Sequence, residues 1–301
     1  MIYVTGDLHG AWYEPRFNIL KQDDYAIICG DFGLIWDGTL AEQCELTTFS
    51  QQLGTILFVD GNHENFSLLN KYSVEEWHGG LVQKIRPNII HLMRGNVYSI
   101  NGKSIFVMGG GTSIDKHLRT PGLSWWPEEI PSREEFELGE KNLEAVGWKV
   151  DYVCTHAAPS SVHDEVLGKY QIKKHDVVTE YLQTIKDRLD YKVWYFGHYH
   201  NNYRVDDKHC LLYQEIYPIE EGKDMIQVQV NLLDANTAQT LAEISNKYPD
   251  VDADVKYGSV AVDAKSIMGL MQLVGHSVDL RIVKGNMPDV MSYITEVDLK
   301  C

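Results

Sequence analysis

The chain has 301 residues, 44% of them hydrophobic, enough to bury a large core in one or two domains. A formal net charge of −16 with no basic stretch argues against a surface built for non-specific binding to nucleic-acid phosphates. The five cysteines (Cys29, Cys44, Cys154, Cys210, Cys301) are odd in number, widely spaced and free of Cys-x-x-Cys pairs, which reads as reduced thiols rather than a disulfide frame or a zinc knuckle. With no positive-then-apolar leader and no apolar run near about eighteen residues, the expectation is a cytoplasmic protein with neither secretion nor membrane insertion.

In chain order, Ile2, Tyr3 and Val4 are β-formers, and the strand they predict breaks into Thr5-Gly6-Asp7-Leu8-His9-Gly10. Asp7 and His9, two apart in an extended turn, lie on one side and can converge on one cation. The pattern then recurs. Tyr25 to Cys29 is followed by Gly30-Asp31, and Thr55 to Val59 by Gly61-Asn62-His63-Glu64. Val150 to Cys154 is followed by His156, and Lys192 to Phe196 by Gly197-His198-Tyr199-His200. Helical patterns intervene at Leu40 to Leu53, Arg133 to Val146 (Ser132 as N-cap, Glu135 three later) and Val178 to Leu189. Such alternation predicts an α/β architecture, in which ligands gather at the carboxyl ends of strands, where these turns fall.

Asp7, His9, Asp31, Asn62, His156, His198 and His200 offer too many nitrogen and oxygen ligands for one tetrahedral ion. They suit two ions a few ångströms apart, sharing a carboxylate such as Asp31. Histidine with carboxylate and amide, and no thiolate, favours Mn, Fe or Zn. Taken singly each piece has an ordinary structural reading; together, each after a strand, they point to a metal site.

This series resembles the calcineurin-like metallophosphoesterase family over roughly the first two-thirds of the chain. The resemblance implies a two-sheet αββα sandwich with a dinuclear metal centre at one edge. It places Asp7, His9 and His200 on the first metal and Asn62, His156 and His198 on the second, with Asp31 bridging. It makes His63 a phosphate contact or the acid that protonates the leaving oxygen, and not a ligand. The chemistry agrees: two cations lower the pKa of a bridging water, supply hydroxide near neutral pH and neutralise charge growing on the phosphoryl oxygens. An imidazole can protonate the departing alkoxide.

Departures from the protein Ser/Thr phosphatase branch bear on substrate. That branch continues its second motif to Asp-Arg-Gly and places an arginine before the Asn-His-Glu turn. Here Phe32-Gly33-Leu34-Ile35-Trp36-Asp37 follows Asp31, and Asp60 precedes Gly61, so those arginine clamps are missing. Asp37 reads as a turn aspartate or as a residue orienting His63. The stretch Gly109 to Pro131 is long for a loop in a compact domain, and such loops are commonly functional. Either Lys116, His117 or Arg119 supplies the missing phosphate clamp, or these charges are solvated. Either Trp125 and Trp126 pack the loop down, or one stacks on a substrate ring. We take Arg119 and His117 as the candidate substrate contacts.

Pro218 to Asp224 reads as a linker, which sets domains at 1–218 and 219–301. Beyond it, Ile226, Val228, Val230 and Leu232 alternate with polar residues as in a half-buried strand. A helix from Ala238 to Tyr248, capped by Asn236 or Thr237, follows. Strands at Asp254 to Tyr257 and Val260 to Val262 break at Gly258-Ser259. A helix from Ala264 to Leu273, a strand from Val278 to Val283 and a helix from Pro288 complete the order βαββαβα, a small α+β domain. That order, with Ala264-Lys265-Ser266-Ile267-Met268, resembles the histidine-containing phosphocarrier protein of the sugar phosphotransferase system (HPr-like). The family's phosphorylated histidine would fall around Ala235 to Ala238, where this chain has none, so the resemblance implies a regulatory or interaction domain for a protein partner or self-association. Ser266 reads as a helix-start serine.

The leading expectation is therefore a dinuclear metal-dependent hydrolase acting on a phosphomonoester or phosphodiester of a small molecule or nucleotide. The alternative is a regulatory protein acting through its C-terminal domain, with a residual metal site; a nuclease acting on short oligonucleotides is a third reading.

Overall fold

The computed structural model describes residues 1–168, 175–219, 226–232, 234–257, 260–284 and 287–300. They run β1 (Ile2–Thr5), β2 (Tyr25–Cys29), α1 (Leu40–Phe49), β3 (Thr55–Val59), α2 (Phe66–Leu69), β4 (Val74–Trp77), β5 (Gly80–Arg86), β6 (Ile89–Leu92), β7 (Val97–Ile100) and β8 (Lys103–Met108). Then come α3 (Arg133–Ala145), β9 (Tyr152–Thr155), α4 (Ser160–Leu167), α5 (Val177–Lys186), β10 (Val193–Phe196), β11 (Tyr203–Arg204), β12 (His209–Leu211) and β13 (Ile216–Pro218). The chain closes with β14 (Ile226–Leu232), α6 (Ala235–Lys247), β15 (Asp252–Tyr257), β16 (Val260–Asp263), α7 (Ile267–Met271), β17 (His276–Lys284) and α8 (Met287–Lys300). Two compact units result: Met1–Ser161, Lys174–Asn201 and Leu211–Glu220 form the first, and Val162–Lys173, Asn202–Cys210 and Glu221–Cys301 the second. The second thus takes in two stretches that precede the boundary expected at residue 218. Of the expected linker, residues 220–225 lie outside the described residues, as does the break expected at Gly258-Ser259.

In the first unit, one sheet has the order β13-β1-β2-β3-β6-β5-β4, and a second contains β10-β9-β8-β7. Strands β1, β2, β3 and β6 pair in parallel, as do β8, β9 and β10. Their sequences are apolar runs because both faces are covered. Ala26, Ile28, Ile56 and Phe58 point to one face and cluster with Leu46 and Phe49 of α1. Ile27, Cys29, Leu57 and Val59 alternate with them and are equally buried, and β2 packs against β9 of the second sheet. On the far side of that sheet α3 lies against β8, with the position of a Gly139 Cβ 3.1 Å from Met108. The unit is a layered α/β sandwich with its parallel strands at the centre.

Helix starts follow side-chain chemistry. Ser132 and Glu135 make the expected capping box of α3. Helix α1 stops at Phe49, four residues before the end of its sequence pattern, and Ser50 caps it.

The second unit has a four-stranded sheet, β14-β17-β15-β16, antiparallel throughout. Leu241 and Ile244 of α6, Val255, Leu280 and Tyr293 of α8 are buried in its core, and Ser245 Oγ and Tyr293 Oη hydrogen-bond at 2.8 Å. The element order is the one read from the sequence, but the cap of α6 is Asp234 rather than Asn236 or Thr237: its carboxylate accepts the Thr237 backbone N–H at 2.8 Å. A carboxylate near the positive helix end outcompetes the amide and hydroxyl that follow it. Ser266 caps α7 by accepting the Gly269 N–H, which starts that helix three residues later than expected.

Candidate metal centre

Five turns bring the candidate residues together, and backbone hydrogen bonds stitch them to one another. The Leu8 and His9 N–H groups donate to the Asp31 carbonyl (3.0 and 2.7 Å), Gly10 N–H to Phe32 (3.0 Å), and Gly197 N–H to the His156 carbonyl (3.0 Å). Asp7 Oδ1 accepts the His198 N–H at 3.1 Å, and Asp31 Oδ1 the His63 N–H at 2.7 Å. The glycines before Asp31, Asn62 and His198 have a steric cause. A Cβ on Gly30 would overlap the His156 imidazole, on Gly61 the Asp31 carboxylate, and on Gly197 the Asp7 carboxylate. His9, Asp31, His198 and His200 have φ of 49°, 47°, 72° and 52°. Left-handed backbone at non-glycine residues costs on the order of 1–3 kcal/mol each and clusters at functional sites.

Asp7, His9, Asp31 and His200 each offer an atom within 4.8 Å of the others. His9 Nε2 lies 2.9 Å from His200 Nε2, 3.6 Å from Asp7 Oδ2 and 3.7 Å from Asp31 Oδ2; His200 Nε2 is 3.2 Å from Asp7 Oδ2. Asp7 Oδ2 is buried and accepts no hydrogen bond. On the other side of Asp31, His156 Nε2 lies 2.9 Å from Asn62 Oδ1 and 3.4 Å from Asp31 Oδ1. His156 Nδ1 faces the Cys29 carbonyl at 3.0 Å, to which only an N–H can bond, so in the neutral ring Nε2 carries the lone pair. The His198 ring stands 4.8 Å from that of His156, centroid to centroid. Lone pairs of nitrogen and oxygen thus face one another on both sides of Asp31, a donor set that suits divalent cations.

The electrostatics favour the ligand forms of Asp7 and His198. Burial alone would raise the Asp7 carboxyl, but the His200, His9 and His156 imidazoles and the His198 N–H hold it well below the usual carboxylate range. Burial, with His156 beside it, pushes His198 down to about 4, a neutral ring at neutral pH. Burial lowers His9 but the Asp7 and Asp31 carboxylates prevail and raise it. Burial lowers His63 against the pull of Asp31, and Arg119, His9 and His156 add to the depression.

His63 stands beside this cluster, its ring 5.4 Å from that of His9. Both line a cavity of about 450 Å³ with Gly33, Trp36, Glu45 and Arg119. Asp115 Oδ1 and the Ser124 carbonyl accept from Arg119 Nε and Nη1 at 2.8 and 3.2 Å. His117, on an exposed 3-10 turn, is not among the residues lining the cavity. Trp126 packs the loop down: it is buried, its Nε1–H donates to Ser67 Oγ at 2.9 Å, and its ring meets Trp36 edge-on at 5.4 Å. Asp37 accepts the Thr39 N–H at 2.8 Å, as a turn aspartate does.

Several residues support the site through contacts that the sequence pattern does not indicate. Arg16 donates to the Asp7 carbonyl (3.0 Å), Thr5 Oγ1 (2.8 Å) and the Tyr213 carbonyl (2.5 Å), pinning the first turn. Glu64, 2% exposed, accepts the Phe32 and Gly33 N–H groups and so locks the turn that carries Asp31; burial pushes its carboxyl well up. Asp60 holds Arg94 (2.7 and 2.5 Å) and His91 (3.0 Å) in a buried network. It therefore faces the interior.

A family model described as calcineurin-like phosphoesterase matches residues 1–202, and the chain belongs to that family. It is a metal-dependent phosphoesterase by class, acting on phosphoester bonds. No curated protein matches the chain at a significant level. Among solved structures, it is similar to a phosphopantetheinyl hydrolase from Mycobacterium tuberculosis at 13% identity and a TM-score of 0.39, covering 70% of this chain and 87% of that one. It is also similar to a putative 5'-nucleotidase from Staphylococcus aureus at 13% identity and a TM-score of 0.41, covering 98% of this chain and 71% of that one. Likenesses this loose carry no argument about substrate. Among the described residues, no helix is long and apolar enough to cross a membrane.

Proposed function

We propose that the chain is a dinuclear metal-dependent phosphoesterase acting on a phosphomonoester or phosphodiester of a small molecule or nucleotide. Asp7, His9 and His200 would hold one ion, Asn62, His156 and His198 the other, and Asp31 both. The observation that carries this reading is the placement of Asp31, whose Oδ2 faces His9 while its Oδ1 faces His156. Mn, Fe or Zn fits a nitrogen and oxygen donor set without thiolate. When bound, such a pair of ions supplies an acidified water and neutralises charge on the phosphoryl oxygens.

The chain's own residues then divide the remaining work. His63, in the cavity lining, contacts the phosphate and gives a proton to the leaving oxygen, a contribution worth about 10²–10⁴ in rate. Arg119, braced by Asp115 and Ser124, orients the phosphate from the cavity wall. Trp36 offers a flat apolar face to the organic part of the substrate. We further propose that residues 219–301 form an HPr-like interaction domain, supported by the order βαββαβα, and that it engages a protein partner or a second copy.

The test is hydrolysis of 4-nitrophenyl phosphate and bis(4-nitrophenyl) phosphate with added Mn²⁺ against chelator. Turnover of at least one ester, lost with chelator and restored by Mn²⁺, is expected. A chain that holds two manganese ions and turns over neither would instead favour a protein acting through its C-terminal domain.

A further inference from the structure

The long loop between β8 and α3 contributes a pair of residues with no part in the reading above. Ser113 is 3% exposed and Glu129 fully buried. Glu129 Oε1 accepts the Ser113 backbone N–H at 3.2 Å, and Oε2 lies 2.6 Å from Ser113 Oγ. Ser113 Oγ in turn stands 3.1 Å from Asn62 Nδ2. The Gly111 N–H donates to the Glu129 carbonyl at 3.1 Å, so the two ends of the loop are tied together at this point.

The direction of these bonds is set by chemistry. Ser113 Oγ donates its single hydroxyl proton to Glu129 Oε2 at 2.6 Å. What remains on Ser113 Oγ toward Asn62 is a lone pair, which can meet an N–H but not a carbonyl oxygen. The Asn62 amide is therefore turned with Nδ2 toward Ser113 and Oδ1 toward His156, where it lies 2.9 Å from Nε2. An amide has one metal-binding end. Turned the other way, it would put an N–H₂ where a cation must sit.

We infer that Glu129 and Ser113 are positioning residues that polarise the Asn62 amide, keeping its oxygen on the second metal position. This rests on the proposal that Asn62 is a ligand. Outer-shell partners of this kind are worth about 10- to 100-fold in metal affinity.

The experiment is manganese binding by calorimetry and elemental analysis on the full chain, with thermal melts to verify folding. Two ions per wild-type chain are expected; fewer would sink the dinuclear reading itself, before any variant is considered. Given two, Ser113→Ala and Glu129→Gln should each weaken the second ion about 10- to 100-fold and leave the first unchanged. Ser113→Thr, which keeps the hydroxyl, should hold it as the wild type does. Asn62→Asp removes the need for orientation because both carboxylate oxygens can bind. In that background Ser113→Ala should cost nothing further. Equal loss in both backgrounds, or no loss in either, would overturn the inference. If Asn62→Asp does not fold, the contrast between Ser113→Ala and Ser113→Thr decides alone: loss in both, or in neither, overturns it.

Discussion

The two halves of the proposed metal centre are built differently although they share Asp31. On one side the His9 and His200 side chains are 32% and 49% exposed, and His9 lines the cavity. On the other, His156 is fully buried, Asn62 is 6% exposed, and their neighbours Ser113 and Glu129 are interior groups. The first half is more open through its two histidines, although Asp7 is buried, while in the second His198 is half-buried and the His156 and Asn62 side is enclosed by protein. An open position suits exchange and substrate; an enclosed one suits retention.

The strongest way to break this comparison is to remove what the halves share. Asp31→Ala should abolish manganese binding on both sides and drop hydrolysis to the metal-free background, as read by elemental analysis and ester turnover. Retention of one tightly held ion would mean that the halves are independent. Next in size is His63→Ala, which should lower kcat about 10²–10⁴-fold while leaving metal content unchanged. Metal loss there would make His63 a ligand. A graded chelator titration sharpens the contrast: the ion of the open half should leave first, giving a stage with one ion per chain. Release of both in a single step would contradict the difference in enclosure. The smallest effect lies outside the centre. Asp234→Ala, which removes the α6 cap in the second unit, should lower the thermal melting temperature slightly with ester hydrolysis unaltered.

Legibility in the sequence followed the same division. The candidate ligands are legible because each turn follows an apolar strand, most of them through a glycine, and parallel strands deliver successive turns to one end of a sheet. The strands of the second unit are legible from alternation, as Val230 and Leu232 with exposed Asn231 between them illustrate. What could not be read are contacts between residues far apart in the chain with no periodic relation. Arg16 reaches Tyr213, Glu64 reaches Phe32, and Glu129 reaches Asn62 through Ser113. Nor did pattern point to the tryptophan that lines the cavity, which is neither Trp125 nor Trp126. Trp126 matches the packing reading of its loop, whereas Trp36, read only as part of a departure from a related branch, lies on the cavity wall. Helix ends depart from the sequence pattern where local competition decides, as between Asp234 and the residues after it.

The account depends most on two cations meeting at Asp31. A crystal of the manganese-loaded chain, with anomalous scattering recorded at the manganese edge, should show two peaks: one among Asp7, His9, His200 and Asp31, the other among Asp31, Asn62, His156 and His198. Density empty at both positions, or a lone ion remote from Asn62, would contradict it.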